Sequence, residues 1–136
     1  MRFSPSTEQL PAVTAFLDAF LDGLACDART RIALETVVEE VFVNIAHHSG
    51  ATFAELALSH TDGEITLRFT DDGRPFDPLA MDDPDVTLPA AQRNVGGLGI
   101  LMVRRMTDRQ AYARENGSNV LTLVKRCSAP TTDPRR

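Results

Sequence analysis

The sequence predicts an α+β fold: a two-layer α/β sandwich with a mixed, mainly antiparallel sheet and its helices on one face. Two pairs of alternating segments are each joined by a turn dipeptide, Asp62-Gly63 and Asn116-Gly117. Such dipeptides close β-hairpins. Three segments with helical period are interspersed, in the order helix, helix, strand, strand, loop, helix, strand, strand. Hairpins with separate helices stack as two layers around one core.

The first helix is expected over residues 6–24, where Leu10, Val13, Leu17, Phe20, Leu21 and Leu24 recur at spacings of three and four. Ser6 with Gln9 has the form of a capping box, and Pro11 sits near the start. The second helix is expected from Asp27, as N-cap, to His48, with Ser49-Gly50 ending it. Residues 53–60 alternate with Ala54, Leu56 and Leu58 on one face. Residues 64–71 alternate with Ile65, Leu67 and Phe69 inward. Residues 74–95 carry four prolines, including Pro75, and the acidic run Asp82, Asp83 and Asp85, with no regular period. Loops of this length are functional or disordered. Gly96-Gly97-Leu98-Gly99 opens the third helix, which runs to about Thr107. Strands over 109–114 and 119–125 close the domain, and residues 128–136 read as a frayed tail.

The 136 residues suffice for one domain. Lys and Arg total 14 and Asp and Glu 19, a formal net charge of -5, which argues against general nucleic-acid binding. Cys26 and Cys127 lack metal-ligand spacing. They are expected as two separate, packed thiols in a reducing compartment. The start has no apolar signal segment, and no stretch approaches the ~20 apolar residues of a membrane helix. A cytoplasmic location follows as the expectation.

On the second helix, Leu34, Val38, Val41 and Ile45 form one apolar sector and Val37 and Val43 another. Glu35 and Glu39 lie between them as a solvated edge. Glu40 and Asn44 form a second polar stripe, four residues apart and so on one face. That stripe is either another solvated edge or the wall of a cleft holding water, metal or ligand, since burying it without partners is costly. Asp71 continues the inward series Ile65, Leu67, Phe69. It is either a strand-end turn residue or an acid facing the helix layer. Gly96, Gly97 and Gly99 stand at a helix N-terminus, where free N–H groups favour an anion and glycine permits close approach. His47 and His48 point about 100° apart, so they do not chelate one metal as a pair. His48 falls near the Asn44 side. Arg104 and Arg105 form a solvated face or a partner-binding patch.

These features combine by physical role. Asp71 can accept from an exocyclic amine such as that of adenine. Asn44 offers an amide oxygen to Mg²⁺. The glycines suit phosphates, and Glu40 can take a proton from an attacking hydroxyl.

Glu40-Val41-Phe42-Val43-Asn44 with His48 resembles the N box of the gyrase/histidine-kinase ATPase superfamily. Asp71-Asp72-Gly73-Arg74-Pro75-Phe76-Asp77 resembles its first glycine box, and Gly96-Gly97-Leu98-Gly99-Ile100 its second. The spacing and short lid most resemble the bacterial anti-sigma-factor serine kinases. The resemblance implies a histidine-kinase-like ATPase fold, with residues 1–127 as an ATP-binding kinase-like domain. It implies ATP and Mg²⁺ as cofactors and phosphorylation of a serine on a small anti-anti-sigma (antagonist) protein. A sigma factor as second partner and a homodimer are also implied, with no direct nucleic-acid or membrane contact.

By position, Glu40 becomes the catalytic base and Asn44 the metal ligand. Asp71 reads the adenine amine, Gly73 permits approach to the base, and Gly97 and Gly99 border the phosphates. His48, Phe76, Arg93, Gly96, Leu98 and Ile100 complete the expected nucleotide site. Three departures stand out: Pro75 replaces a glycine of the first box, only Arg2 and Phe3 remain for the N-terminal strand, and Arg93 is the nearest basic residue before Gly96. The alternative function is an ATP-binding regulatory module that sequesters a partner without phosphorylating it. A detached histidine-kinase domain is disfavoured, because no room remains for a phosphoacceptor helix pair.

Overall fold

The computed structural model describes residues 1–80 and 97–127, with the side chains of residues 97 and 98 outside that description. The acidic run at Asp82–Asp85, Arg93, Gly96 and the 128–136 tail therefore lie outside the described residues. Within them, strands β1 (Arg2–Phe3), β2 (Ala54–Thr61), β3 (Glu64–Asp71), β4 (Arg109–Glu115) and β5 (Ser118–Arg126) form one sheet. Helices α1 (Leu10–Asp22), α2 (Ala28–His48) and α3 (Gly97–Met106) complete the domain. The sheet order is β1-β2-β3-β5-β4, and every pairing is antiparallel. Two of these pairings are the expected hairpins. Asp62 (φ 53°) with Gly63 (φ 76°), and Asn116 (φ 51°) with Gly117 (φ 77°), take the left-handed conformations that two-residue turns require.

The core follows from alternation. Ile65, Leu67 and Phe69 of β3 are buried, as are Leu121 and Leu123 opposite them on β5. They pack in one cluster with Leu17 of α1, Leu34, Val38 and Phe42 of α2, and Val103 of α3. The shortened N-terminal strand still docks: Phe3 pairs with Ala54 and stacks on Phe42 at 5.1 Å between ring centroids. On the opposite sheet face, Arg109 of β4 holds Glu64 of β3 in two hydrogen bonds, at 2.7 and 3.0 Å.

Three expectations need correction. The first helix is not continuous from residue 6. A 3-10 turn at Thr7–Gln9 precedes α1, because Pro11 in its first turn favours a fresh start there. Ser6 caps that turn by accepting from the Glu8 N–H at 3.4 Å, but Gln9 makes no reciprocal side-chain bond, so the capping box is only half formed. The two thiols are not separate. Cys26 and Cys127 form a disulfide across a sequence separation of 101, with Cα atoms 5.6 Å apart. Cys26 stands just before α2 and Cys127 just after β5, and stacking the two layers brings these ends together.

α2 begins as expected. Asp27 Oδ1 accepts from the Thr30 N–H at 2.8 Å. Its carboxyl is held below the ordinary value of 3.8, first by the Thr30 hydroxyl and then by the Thr30 N–H. Among the described residues, no helix is long and apolar enough to cross a membrane.

Candidate nucleotide site

α2 spans the cleft between the layers, and its helical period decides which side chains enter it. Leu34, Val38, Val41 and Ile45 are buried, as the apolar sector requires. Glu40 and Asn44 are half-buried and border open space on the α3 side. Glu39 is exposed, in keeping with a solvated edge. Glu35 is half-buried instead, and its carboxyl is pushed up by burial and by the nearby Asp18.

Two adjoining hollows form the cleft. The inner one is bounded by Asn44, Asp71, Phe76, Ile100, Tyr112 and Asn119, among others. The outer one is bounded by Glu40, Val43, Asn44, His47, His48, Gly99 and Ile100. Asn44 and Ile100 line both, so the hollows adjoin. The structure thus brings together Glu40, Asn44, His48, Asp71, Phe76, Gly99 and Ile100. Gly97 and Leu98 lie in the first turn of α3.

Asp71 and Asp72 separate the two explanations open for an acid at this strand end. Asp72 takes the turn role: its carboxylate accepts from the Thr52 N–H at 2.7 Å, the Phe53 N–H at 3.1 Å and the Thr52 hydroxyl. Those bonds hold its carboxyl below the ordinary value, the Thr52 hydroxyl foremost. Asp71, 6% exposed, points inward to the cleft. Its Oδ1 accepts from the Gly73 N–H at 2.9 Å and from Asn119 Nδ2 at 3.1 Å. Among the described residues Oδ2 has no hydrogen-bond donor. A buried carboxylate with one oxygen engaged and the other free is an acceptor prepared for an N–H of a ligand.

Gly73 does not line either hollow. A Cβ there would lie 2.5 Å from the Ser49 carbonyl oxygen and 2.8 Å from Asp71 Oδ1. Its small size serves the packing of this turn against the end of α2, beneath the pocket. Gly99 is different: a Cβ there would lie 2.5 Å from Glu40 Oε2. The glycine keeps room for the Glu40 carboxylate beside the N-terminal turn of α3.

Sequence reasoning missed Ser49, Tyr112 and Asn119. Asn119 was detectable, since it lies on the inward series of Leu121 and Leu123 and is a polar residue among core positions. In the register it stands directly opposite Asp71. Arg114 adds a bond from Nη1 to the Gly73 carbonyl at 2.8 Å, tying the same turn to β4.

The donor chemistry suits a divalent cation shared with phosphates. Asn44 and Glu40 offer oxygen atoms one helical turn apart, and neither side chain has a hydrogen-bond partner among the described residues. No group of three His, Cys, Asp or Glu side chains is placed to hold a metal among those residues. A cation here would need ligand oxygens and water to complete its shell, which is the habit of Mg²⁺.

Comparison with known proteins bears on the family and the fold. The family model for the histidine kinase-like ATPase domain matches residues 3–125. The serine/threonine-protein kinase BtrW of Bordetella bronchiseptica is 32% identical over 107 residues, covering 76% of this chain and 75% of that protein. The solved structure of the RsbU and RsbW domains of Rv1364c from Mycobacterium tuberculosis superposes with a TM-score of 0.65 at 17% identity. That match covers 96% of this chain, which spans 33% of the solved one, and at this identity it speaks for the fold alone. With a domain match across the sheet and all three helices, and a serine/threonine-protein kinase relative matched over three quarters of its length, the chain belongs to the histidine kinase-like ATPase family.

Proposed function

We propose that this protein is an ATP-dependent protein serine kinase that acts as an anti-sigma factor. It would phosphorylate a small antagonist protein and, when unopposed, sequester a sigma factor, working as a homodimer in the cytoplasm. The observation that carries the proposal is the pair of adjoining hollows, one lined by Asp71 and the other by Glu40, with Asn44 bordering both. Asp71 Oδ2 would accept from the adenine amine at the inner end, with Phe76 and Ile100 bordering the base. The N-terminal turn of α3, with Gly97, Leu98 and Gly99, would present backbone N–H groups to the phosphates. Arg93 and Gly96, which precede that turn in sequence, belong to the same proposed phosphate contact, and His48 to the outer wall.

Asn44 would hold Mg²⁺ through its amide oxygen, and the ion would supply charge neutralisation on the phosphates. Glu40 would accept the proton of the attacking serine hydroxyl. The serine oxygen bonds to the γ-phosphorus as the bond to the β–γ bridging oxygen breaks, leaving ADP. Gly99 leaves the Glu40 carboxylate the space to reach that proton.

The test is transfer from labelled ATP to candidate small partner proteins, comparing wild type with Glu40→Ala. The variant is expected to abolish transfer and keep nucleotide binding. Persistent transfer removes Glu40 from the mechanism. A wild type that binds ATP and a partner without transfer replaces the kinase with a sequestering module.

A further inference from the structure

We propose that Asn119 is a positioning residue for base selection: it fixes the Asp71 carboxylate as an acceptor and so makes the pocket select a 6-amino purine over a 6-oxo purine. The proposal rests on the nucleotide reading above and adds to it the residue that enforces the choice.

Asn119 is 6% exposed and every hydrogen-bonding position of its amide is used. Nδ2 donates to Asp71 Oδ1 at 3.1 Å and to the Arg74 carbonyl at 2.7 Å. Oδ1 accepts from the Phe76 N–H at 3.1 Å and from the Tyr112 hydroxyl. Two N–H donors and two lone pairs exhaust the capacity of a carboxamide. The amide orientation is therefore determined. Turned over, its oxygen would face the Asp71 carboxylate and the Arg74 carbonyl, and its NH₂ would face a backbone N–H and lose the acceptor.

Two consequences follow for Asp71. Its Oδ1 is engaged by the Gly73 N–H and by Asn119, so the carboxylate cannot rotate without breaking both bonds. Its Oδ2 is left as an acceptor on the cleft. An amine at purine C6 satisfies that oxygen. A 6-oxo group sets one acceptor against another in a buried site, and such mismatches are strongly rejected. Asn119 itself has no bonding position left for a ligand, so its effect is exerted through Asp71. The same amide ties the 74–76 turn to β5, and Tyr112 on β4 braces it, so three segments of the inner hollow share one post.

Asn119→Asp tests this with almost no change of shape. Two facing carboxylates cannot both remain ionised acceptors at hydrogen-bond distance, so Asp71 must rotate or one of the pair must take a proton. A rotated or protonated Asp71 no longer offers Oδ2 as a fixed acceptor; a proton on the introduced carboxyl would instead restore a donor to Oδ1, so the comparison is also made at alkaline pH, where that carboxyl is ionised. Affinities for ATP and inosine triphosphate are measured by calorimetry on the full chain, wild type against Asn119→Asp and Tyr112→Phe. The wild type is expected to prefer ATP by about tenfold or more. In Asn119→Asp, ATP should weaken roughly ten- to hundredfold while the preference falls toward unity. Tyr112→Phe removes a brace without introducing charge, and should lower the preference in the same direction by less. If Asn119→Asp does not fold, Tyr112→Phe decides by the same ratio. A wild-type preference retained in the variants, whatever the overall loss of affinity, overturns the proposal. So does a wild type that binds the two nucleotides equally, which leaves the nucleotide site standing. A wild type that binds neither overturns the nucleotide reading itself.

Discussion

A Cβ on Gly73 would meet the Ser49 carbonyl oxygen at 2.5 Å and the Ser49 Cβ at 2.7 Å, both fixed at the end of α2. A Cβ on Gly99 would meet Glu40 Oε2 at 2.5 Å but Glu40 Cδ only at 3.4 Å, so the end of one flexible side chain has to move. The two alanine variants should therefore differ in kind. Gly73→Ala is expected to lower folding stability by about 1–3 kcal/mol, read by chemical denaturation, because backbone must shift. Gly99→Ala should fold at least as well as wild type, since alanine favours a helix over glycine by about 1 kcal/mol. It should nevertheless lose phosphoryl transfer, because Glu40 is displaced. Equal stability losses in both would show that the contact of Gly99 with Glu40 is structural. Asp71→Asn should weaken ATP more than GTP in the same binding assay, and equal losses would contradict an adenine amine at Oδ2. Much of this site was legible in the residues. The inward phase of Asp71 and the four-residue spacing of Glu40 and Asn44 each allowed a cleft beside an ordinary turn or solvated edge, and the family resemblance chose between them. What escaped was pairing across strands: nothing in the sequence sets Asn119 against Asp71 until the register between β3 and β5 is known.

At the scale of elements, α2 depends on its first turn. The Asp27 carboxylate accepts from the Thr30 N–H at 2.8 Å, and its titration is shifted down chiefly by the Thr30 hydroxyl and N–H. A carboxyl that binds its proton less readily in the folded state contributes stability in full above the unfolded value, near 3.8. That contribution is lost as pH falls through the lower folded value. Asp27→Ala should therefore lower Tm by a few degrees at neutral pH, with a smaller difference from wild type under strongly acidic conditions. A difference that does not shrink with acid would place the effect elsewhere than in the charged cap. This cap was legible because Asp before a helical period has one dominant use. The start of α1 was less so. Ser6, Gln9 and Pro11 each signal a helix start at a different position, and the structure uses Ser6 for a 3-10 turn and Pro11 for the α-helix that follows.

For the whole molecule, the layer arrangement was readable from the hairpin turns and helical periods, because each acts over a few residues. The disulfide was not, because its partners are 101 positions apart and only the stacked layers join them. Cys26 and Cys127 link the start of α2 to the end of β5, the two elements that carry Asn44 and Asn119. Closing so long a loop restricts the unfolded chain, a stabilisation of up to ~4.7 kcal/mol for about 100 residues, with native disulfides usually at 2–4. The Cys26→Ser/Cys127→Ser variant is expected to lose about 2–4 kcal/mol, and a strong reductant should lower the wild-type transition to match it. The nucleotide site should be spared. Glu40 lies twelve positions beyond Ala28, the first residue of α2, about 18 Å along the axis from the end beside Cys26, so the double variant should bind ATP as wild type does below its transition. If reductant leaves the wild-type transition unchanged and non-reducing mass analysis finds both thiols free, the two layers are held by their core alone. If ATP affinity falls together with stability, the staple also sets the spacing of the cleft, since α2 and β5 then cannot hold Asn44 and Asn119 in place unaided.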